Sequence, residues 1–173
     1  MRAIENIAED LPVIFPVHPR TRMNLQALGL KRIAWHVAGQ TAPDDGLYCM
    51  DPLGYMDFMS LAAGARLVLT DSGGLQEETT ALGIPCLTLR ENTERPVTVS
   101  HGTNRIVGQS PEKIIDGARR ALAVWTEAPG RPPLWDGQAS RRIVDILLEG
   151  FHRWVVPVIS GRVGSPQNPA LTS

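Results

Sequence analysis

The sequence predicts an α/β fold, a doubly wound parallel sheet with helices on both faces. Two observations carry this. Short apolar runs alternate with segments of helical spacing along most of the chain, and several of the helical segments stop at a glycine. The elements follow in order. Residues 1–9 place Ala3, Ile4, Ile7 and Ala8 at helical intervals. Residues 12–17 (PVIFPV) are a short apolar strand, made imperfect by Pro16. After His18-Pro19, residues 20–28 read as a helix ending at Gly29. Residues 30–46 read as an excursion or long loop, closing on the turn cluster Pro43-Asp44-Asp45-Gly46. A strand at 47–50 ends at Asp51-Pro52.

Residues 54–64 then suit a helix stopped by Gly64, and 66–70 (RLVLT) a buried strand. The next pair is a helix over 73–83 and a strand over 85–89, followed by a polar loop at 91–103. A short strand at 104–107 leads to a helix opened by Ser110-Pro111-Glu112: an N-cap, a proline at the first position and an acid in the first turn. A Pro/Gly loop at 129–133 precedes the last helix, 138–153. From Pro157 onward eight of 17 residues are Gly, Pro or Ser, so 154–173 reads as a loosely held tail behind a domain of residues 1–153.

Composition narrows the function classes. At 173 residues with 43% hydrophobic residues, the chain has enough apolar material for one domain with a normal core. Seventeen Lys+Arg against 18 Asp+Glu leave a net charge of -1, so there is no broad basic field for nucleic acid or an anionic membrane. Any anion site must be local. No apolar run reaches a membrane span, and MRAIENIAED is too acidic for a signal peptide. Cys49 and Cys86 are too few for a disulfide scaffold or a thiolate metal site, and a reducing cytoplasm is the default setting. No cofactor or metal is called for.

The most informative stretch is LVLTDSGGLQEE, 67–78, a strand running through two glycines into a helix. In parallel sheets ligands gather beyond the carboxyl ends of the strands. A helix N-terminus there offers free N–H groups and the positive end of its dipole. Gly73 and Gly74 let a diphosphate approach the backbone, and Ser72 adds a hydroxyl. Glu77 and Glu78 lie one turn in, where a carboxylate can accept from a ribose diol. The plainer reading is a glycine turn with Asp71 or Ser72 as the N-cap. Three more residues lie near strand ends: His18, Phe58 and, in the loop ENTERP, Arg95. Taken singly, His18 reads as structural, Phe58 as core and Arg95 as solvated; their shared position favours a common site.

The run TDSGGLQEETTALGIPCLTLRENTERPVTVSHGTNRIVG (70–108) resembles the hallmark segment of the non-hydrolysing UDP-N-acetylglucosamine 2-epimerases. PVHPR (16–20), DPLGYMDF (51–58) and DGQASRRIVDIL (136–147) are similar to that family too. The resemblance covers about residues 1–149 and corresponds to the C-terminal half of a two-domain, glycosyltransferase-B-type architecture with Rossmann-like domains. It implies interconversion of UDP-GlcNAc and UDP-ManNAc, with UDP eliminated across C1–C2 to leave a 2-acetamidoglucal and then re-added. It implies roles residue by residue. His18 matches a histidine near the diphosphate and Phe58 the aromatic at the uracil. Ser72, Gly73 and Gly74 match the diphosphate turn, Glu78 the acid on the ribose, and Arg95 the arginine of the ligand-facing loop. Leu53 stands where some members carry Gln, and Met59 where substrate-regulated bacterial members carry His, which argues against allosteric activation.

The family's acid/base carboxylates belong to an N-terminal domain outside the resemblance. The chain is therefore expected to be a UDP-binding half, inactive alone, whose partners are UDP or a UDP-N-acetylhexosamine together with a complementary N-terminal domain or a second copy. The competing readings are a non-catalytic UDP-binding module and a glycosyltransferase-B half.

Overall fold

A computed structural model describes residues 1–27, 33–35, 45–124 and 131–159. The chain divides into two units, Met1–Pro132 and Pro133–Ser173.

In the first unit, helix α1 (Arg2–Ile7) leads into strand β1 (Pro12–Pro16) and helix α2 (Pro19–Ala27). Pro19 begins α2 where a missing N–H costs nothing, and the His18 carbonyl accepts from Thr21 N (2.9 Å) and Arg22 N (3.1 Å). Strands β2 (Ile33–Trp35) and β3 (Gly46–Met50) complete a parallel sheet in the order β1-β3-β2. Pro12 pairs with Gly46 and Pro16 with Met50. Among the described strands β1 lies at a sheet edge, a position that tolerates Pro16. In central β3 the pleat buries Leu47 and Cys49, which pack with Ala8, Val17 and Leu25. Strand β2 falls in the stretch expected to be an excursion. Three residues are too few to show a period.

Helix α3 (Tyr55–Ala63), strand β4 (Val68–Thr70) and helix α4 (Gly73–Leu82) follow. Next come β5 (Cys86–Thr88), a five-residue helix α5 (Pro96–Ser100), β6 (Asn104–Ile106) and helix α6 (Pro111–Val124). Strands β4, β5 and β6 form a second parallel sheet in that order. Alternation along β5 places the helices. Thr88 bonds to Asn104, which bonds to Gln76 of α4, whereas Leu87, one residue back, points to α6. Helices therefore cover opposite faces of this sheet, as the doubly wound reading predicts. On the α6 side Gly117 permits close approach: a Cβ there would lie 2.9 Å from Val107 Cγ1 and 3.3 Å from Leu87 Cδ1. The described strands make two three-stranded parallel sheets rather than one continuous sheet. Helix α1 bridges them, packing on β3 of the first sheet and on α6, which in turn packs on β5 of the second.

Helix α5 lies within the expected polar loop. Its signal is Arg95-Pro96, a proline at the first helical position. In the second unit, α7 (Ala139–Ile159) runs past the expected end at 153 and through Pro157. Proline there removes one rung, to the Arg153 carbonyl, and the helix continues. Residues 43 and 44 of the expected turn at 43–46 and residues 160–173 of the expected tail lie outside the described residues. Before α7, Leu134 (φ 67) and Gly137 (φ 77) are left-handed. Arg142 clasps this turn: its two terminal nitrogens meet Asp136 Oδ2 and Oδ1 at 2.9 and 2.8 Å, and Nη2 also donates to the Leu134 carbonyl at 2.9 Å. The Arg142 guanidinium and the Gln138 N–H hold the Asp136 carboxyl well below the usual carboxylate range.

Candidate functional site

Strand β4 ends at Thr70, whose Oγ1 accepts from Ser72 N at 3.0 Å and turns the chain. Ser72 is extended (φ -80, ψ 126) and caps α4, its Oγ accepting from Leu75 N at 3.5 Å. Gly73 and Gly74 are the first two helical residues, so neither N–H has an intrahelical acceptor. The first turn carries no acid, and the positive end of the helix dipole is not neutralised there.

Arg95 lies over this end. A Cβ placed on Gly73 would sit 3.8 Å from Arg95 Cγ and 4.0 Å from Nε, so the arginine stem crosses the glycine. Arg95 Nε is 3.0 Å from Glu77 Oε1, an ion pair by distance though not aligned as a hydrogen bond, and Nη1 donates to the Glu94 carbonyl at 3.3 Å. Two free N–H groups, a hydroxyl and a half-exposed guanidinium thus converge on one small surface. That arrangement suits an oxyanion bearing more than one charge.

One turn on, the Glu78 carboxylate stands beside the Tyr55 phenol of α3 and holds it above its ordinary pKa. Phe58 is half-buried three residues after Tyr55, on the same side of α3, and α3 packs on α4. His18 is exposed beyond the carboxyl end of β1, its Nδ1 accepting from Arg20 N at 3.3 Å. Ser72, Gly73, Gly74 and Arg95 are therefore brought together, Glu78 stands further along α4, Phe58 stands on the neighbouring α3, and His18 bonds within its own segment. Of the two acids flagged from sequence, Glu77 pairs with Arg95 and Glu78 faces Tyr55.

Sequence reasoning missed two groups. Gln76 is 1% exposed and accepts from Thr93 Oγ1 (2.5 Å) and Asn104 Nδ2 (3.2 Å). Its only signal is an amide at an inward position of α4. At the ends of β2 and β3, Arg22 pairs with Asp51 at 2.8 Å and stacks 4.1 Å from the Trp35 ring centroid. Burial pushes the Cys86 thiol up to about 11, which rules it out as a nucleophile near neutral pH. Among the described residues no group of three or more His, Cys, Asp or Glu could hold a metal, and no helix is long and apolar enough to cross a membrane.

The family model of UDP-N-acetylglucosamine 2-epimerase matches residues 1–148. A UDP-N-acetylglucosamine 2-epimerase of Methanococcus maripaludis is 37% identical over 148 residues, 84% of this chain and 38% of that protein. A UDP-2,3-diacetamido-2,3-dideoxy-D-glucuronate 2-epimerase of Pseudomonas aeruginosa is 38% identical over 138 residues, 80% of this chain and 35% of that one. The crystal structure of Methanocaldococcus jannaschii UDP-GlcNAc 2-epimerase in complex with UDP-GlcNAc and UDP superimposes with a TM-score of 0.62 at 36% identity, covering 86% of this chain and 41% of that one. The chain thus spans about two-fifths or less of the length of these relatives. With the glycine-opened helix and its arginine set on parallel sheets of this topology, the chain belongs to the UDP-N-acetylglucosamine 2-epimerase family.

Proposed function

We propose that residues 1–153 are the UDP-binding half of a UDP-N-acetylhexosamine 2-epimerase. The observation that carries this reading is the N-terminus of α4, where the Gly73 and Gly74 N–H groups are free beneath Arg95. The diphosphate docks on Ser72, Gly73 and Gly74, and Arg95 turns its outer edge to it. The Glu78 carboxylate accepts from the ribose hydroxyls, the uracil lies at Phe58, and His18 approaches the diphosphate from β1.

In the reaction, UDP leaves C1 as the C2 proton is removed, giving the 2-acetamidoglucal. UDP then re-adds with protonation on the other face. A leaving diphosphate gains charge as its bond to C1 breaks, so donors fixed at the helix end stabilise the transition state more than the ground state. The proton-transfer groups are proposed to come from a complementary N-terminal domain, with which or with a second copy this half works. A cytoplasmic setting is proposed, consistent with two buried free thiols. The alternative is a binding module that holds UDP without catalysis.

Gly73→Ala tests the docking. Its Cβ meets only ordinary contacts and alanine favours the helix, so the melting temperature should hold or rise. The added methyl enters the space between the helix end and Arg95, so calorimetry should show UDP and inorganic pyrophosphate binding both weakened by about tenfold or more. Unchanged affinity for both would remove α4 from the site.

A further inference from the structure

Arg95 sits in a segment whose sequence gives it no reason to be rigid. Yet both of its own peptide groups end in one buried chain of hydrogen bonds. The Arg95 N–H donates to Thr93 Oγ1 (3.0 Å), and that hydroxyl donates to Gln76 Oε1 (2.5 Å). Asn104 Nδ2 donates to the same Gln76 oxygen (3.2 Å) and to Thr98 Oγ1 (3.1 Å). The Thr98 hydroxyl donates to the Arg95 carbonyl (2.7 Å), closing the ring. Thr88 Oγ1 donates to Asn104 Oδ1 (2.7 Å) and fixes the ring to β5. Gln76, Thr88, Thr98 and Asn104 are each no more than 2% exposed.

The directionality leaves little freedom. Gln76 Oε1 is the hub and accepts twice, which requires an acceptor there. Each threonine hydroxyl has one donor and one acceptor role in the ring, and both are used. Losing any member strands a buried polar group, so the ring stays closed or fails as a unit. Gln76 also stands three residues after Gly73 on α4. The ring therefore ties the Arg95 backbone to the helix whose N-terminus the guanidinium covers.

We propose that Gln76, Thr93, Thr98 and Asn104 are positioning residues that hold Arg95 over the anion-binding end of α4. The proposal rests on the UDP-binding reading for what Arg95 is held against. The ring fixes the Arg95 peptide, and the Glu77 carboxylate fixes the inner edge of the guanidinium. The cation is thus in place before a ligand arrives, which removes the cost of ordering a long side chain on binding.

Thr93 is the group to change, being half-buried and in contact with both Arg95 and Gln76. The experiment compares Thr93→Val, which removes the hydroxyl, with Thr93→Ser, which restores it; Thr93→Ala gives the same readout should the valine variant not fold. The first readout is ligand-free: the Arg95 Nε–Hε NMR resonance, assigned by its loss in Arg95→Ala. Thr93→Val should move it to the position of solvated arginines, and Thr93→Ser should leave it in place. The second readout is UDP affinity, expected to fall about tenfold in Thr93→Val. It should fall no further when Thr93→Val is added to Arg95→Ala. An unmoved Arg95 resonance in Thr93→Val overturns the proposal, as does an equal loss of affinity in the Arg95→Ala background. A resonance that moves as expected in a chain that binds no UDP upholds the positioning and overturns the UDP reading.

Discussion

At the scale of single residues, the proposed site separates charge recognition from nucleoside recognition. Gly73, Gly74 and Arg95 are proposed to serve the diphosphate, whereas Glu78 lies a turn further on beside Tyr55. Glu78→Gln should therefore weaken UDP by about 10–100-fold through the ribose while leaving inorganic pyrophosphate nearly untouched. Equal losses for the two ligands in calorimetry would take Glu78 off the ribose. A second residue-scale expectation concerns Cys86. Its thiol is held protonated by burial up to about 11, against an ordinary value of 9.0. A raised folded-state value means that the stabilising term is complete below pH 9.0. It is lost as pH climbs toward 11, because the unfolded chain releases the proton first. The urea midpoint of the native chain should approach that of Cys86→Ala between pH 8 and pH 11, and parallel curves would contradict this.

At the scale of elements, one of the tightest approaches among the described residues is at Gly102. A Cβ there would stand 2.5 Å from Thr80 Cγ2 on α4 and 2.6 Å from the Thr98 carbonyl on α5. Gly102→Ala must push the two helices apart and should cost about 1–3 kcal/mol in chemical denaturation. This contact also marks where the sequence stops being legible. Helices α3, α4 and α6 can be read because their ends are written locally, by Gly64, Gly83 and Ser110-Pro111-Glu112. The glycine turn can be read for the same reason, since a strand, two glycines and a helix lie within a dozen residues. Strand β2 and helix α5 are too short to repeat the period that would reveal them. The ring around Arg95 is invisible for another reason: Gln76, Thr93, Thr98 and Asn104 read separately as ordinary polar residues. Only the packing of α4, α5 and β6 makes them one group.

At the scale of the whole molecule, binding and proton transfer are proposed to reside in different domains. The 173-residue chain alone should bind UDP yet leave C2 of UDP-GlcNAc unexchanged. General acid and base groups contribute about 10²–10⁴-fold each, and domain closure adds positioning and water exclusion. Mass spectrometry after incubation in deuterium oxide measures this directly. Deuterium at C2, lost on His18→Ala or Arg95→Ala, would show that this half carries its own base. The architecture also has a consequence for how the chain is made. Helix α1 is translated before the other described elements, but the surface it packs on includes α6, at Pro111–Val124. Every ribosome must extend the polypeptide through both sheets before α1 can find that partner. Contacts between such distant segments form late and slowly. Until then the nascent chain carries an unfinished apolar seam past the exit tunnel, so a pause in translation before Pro111 emerges should expose it to chaperones and a pause once Val124 has cleared the tunnel should not.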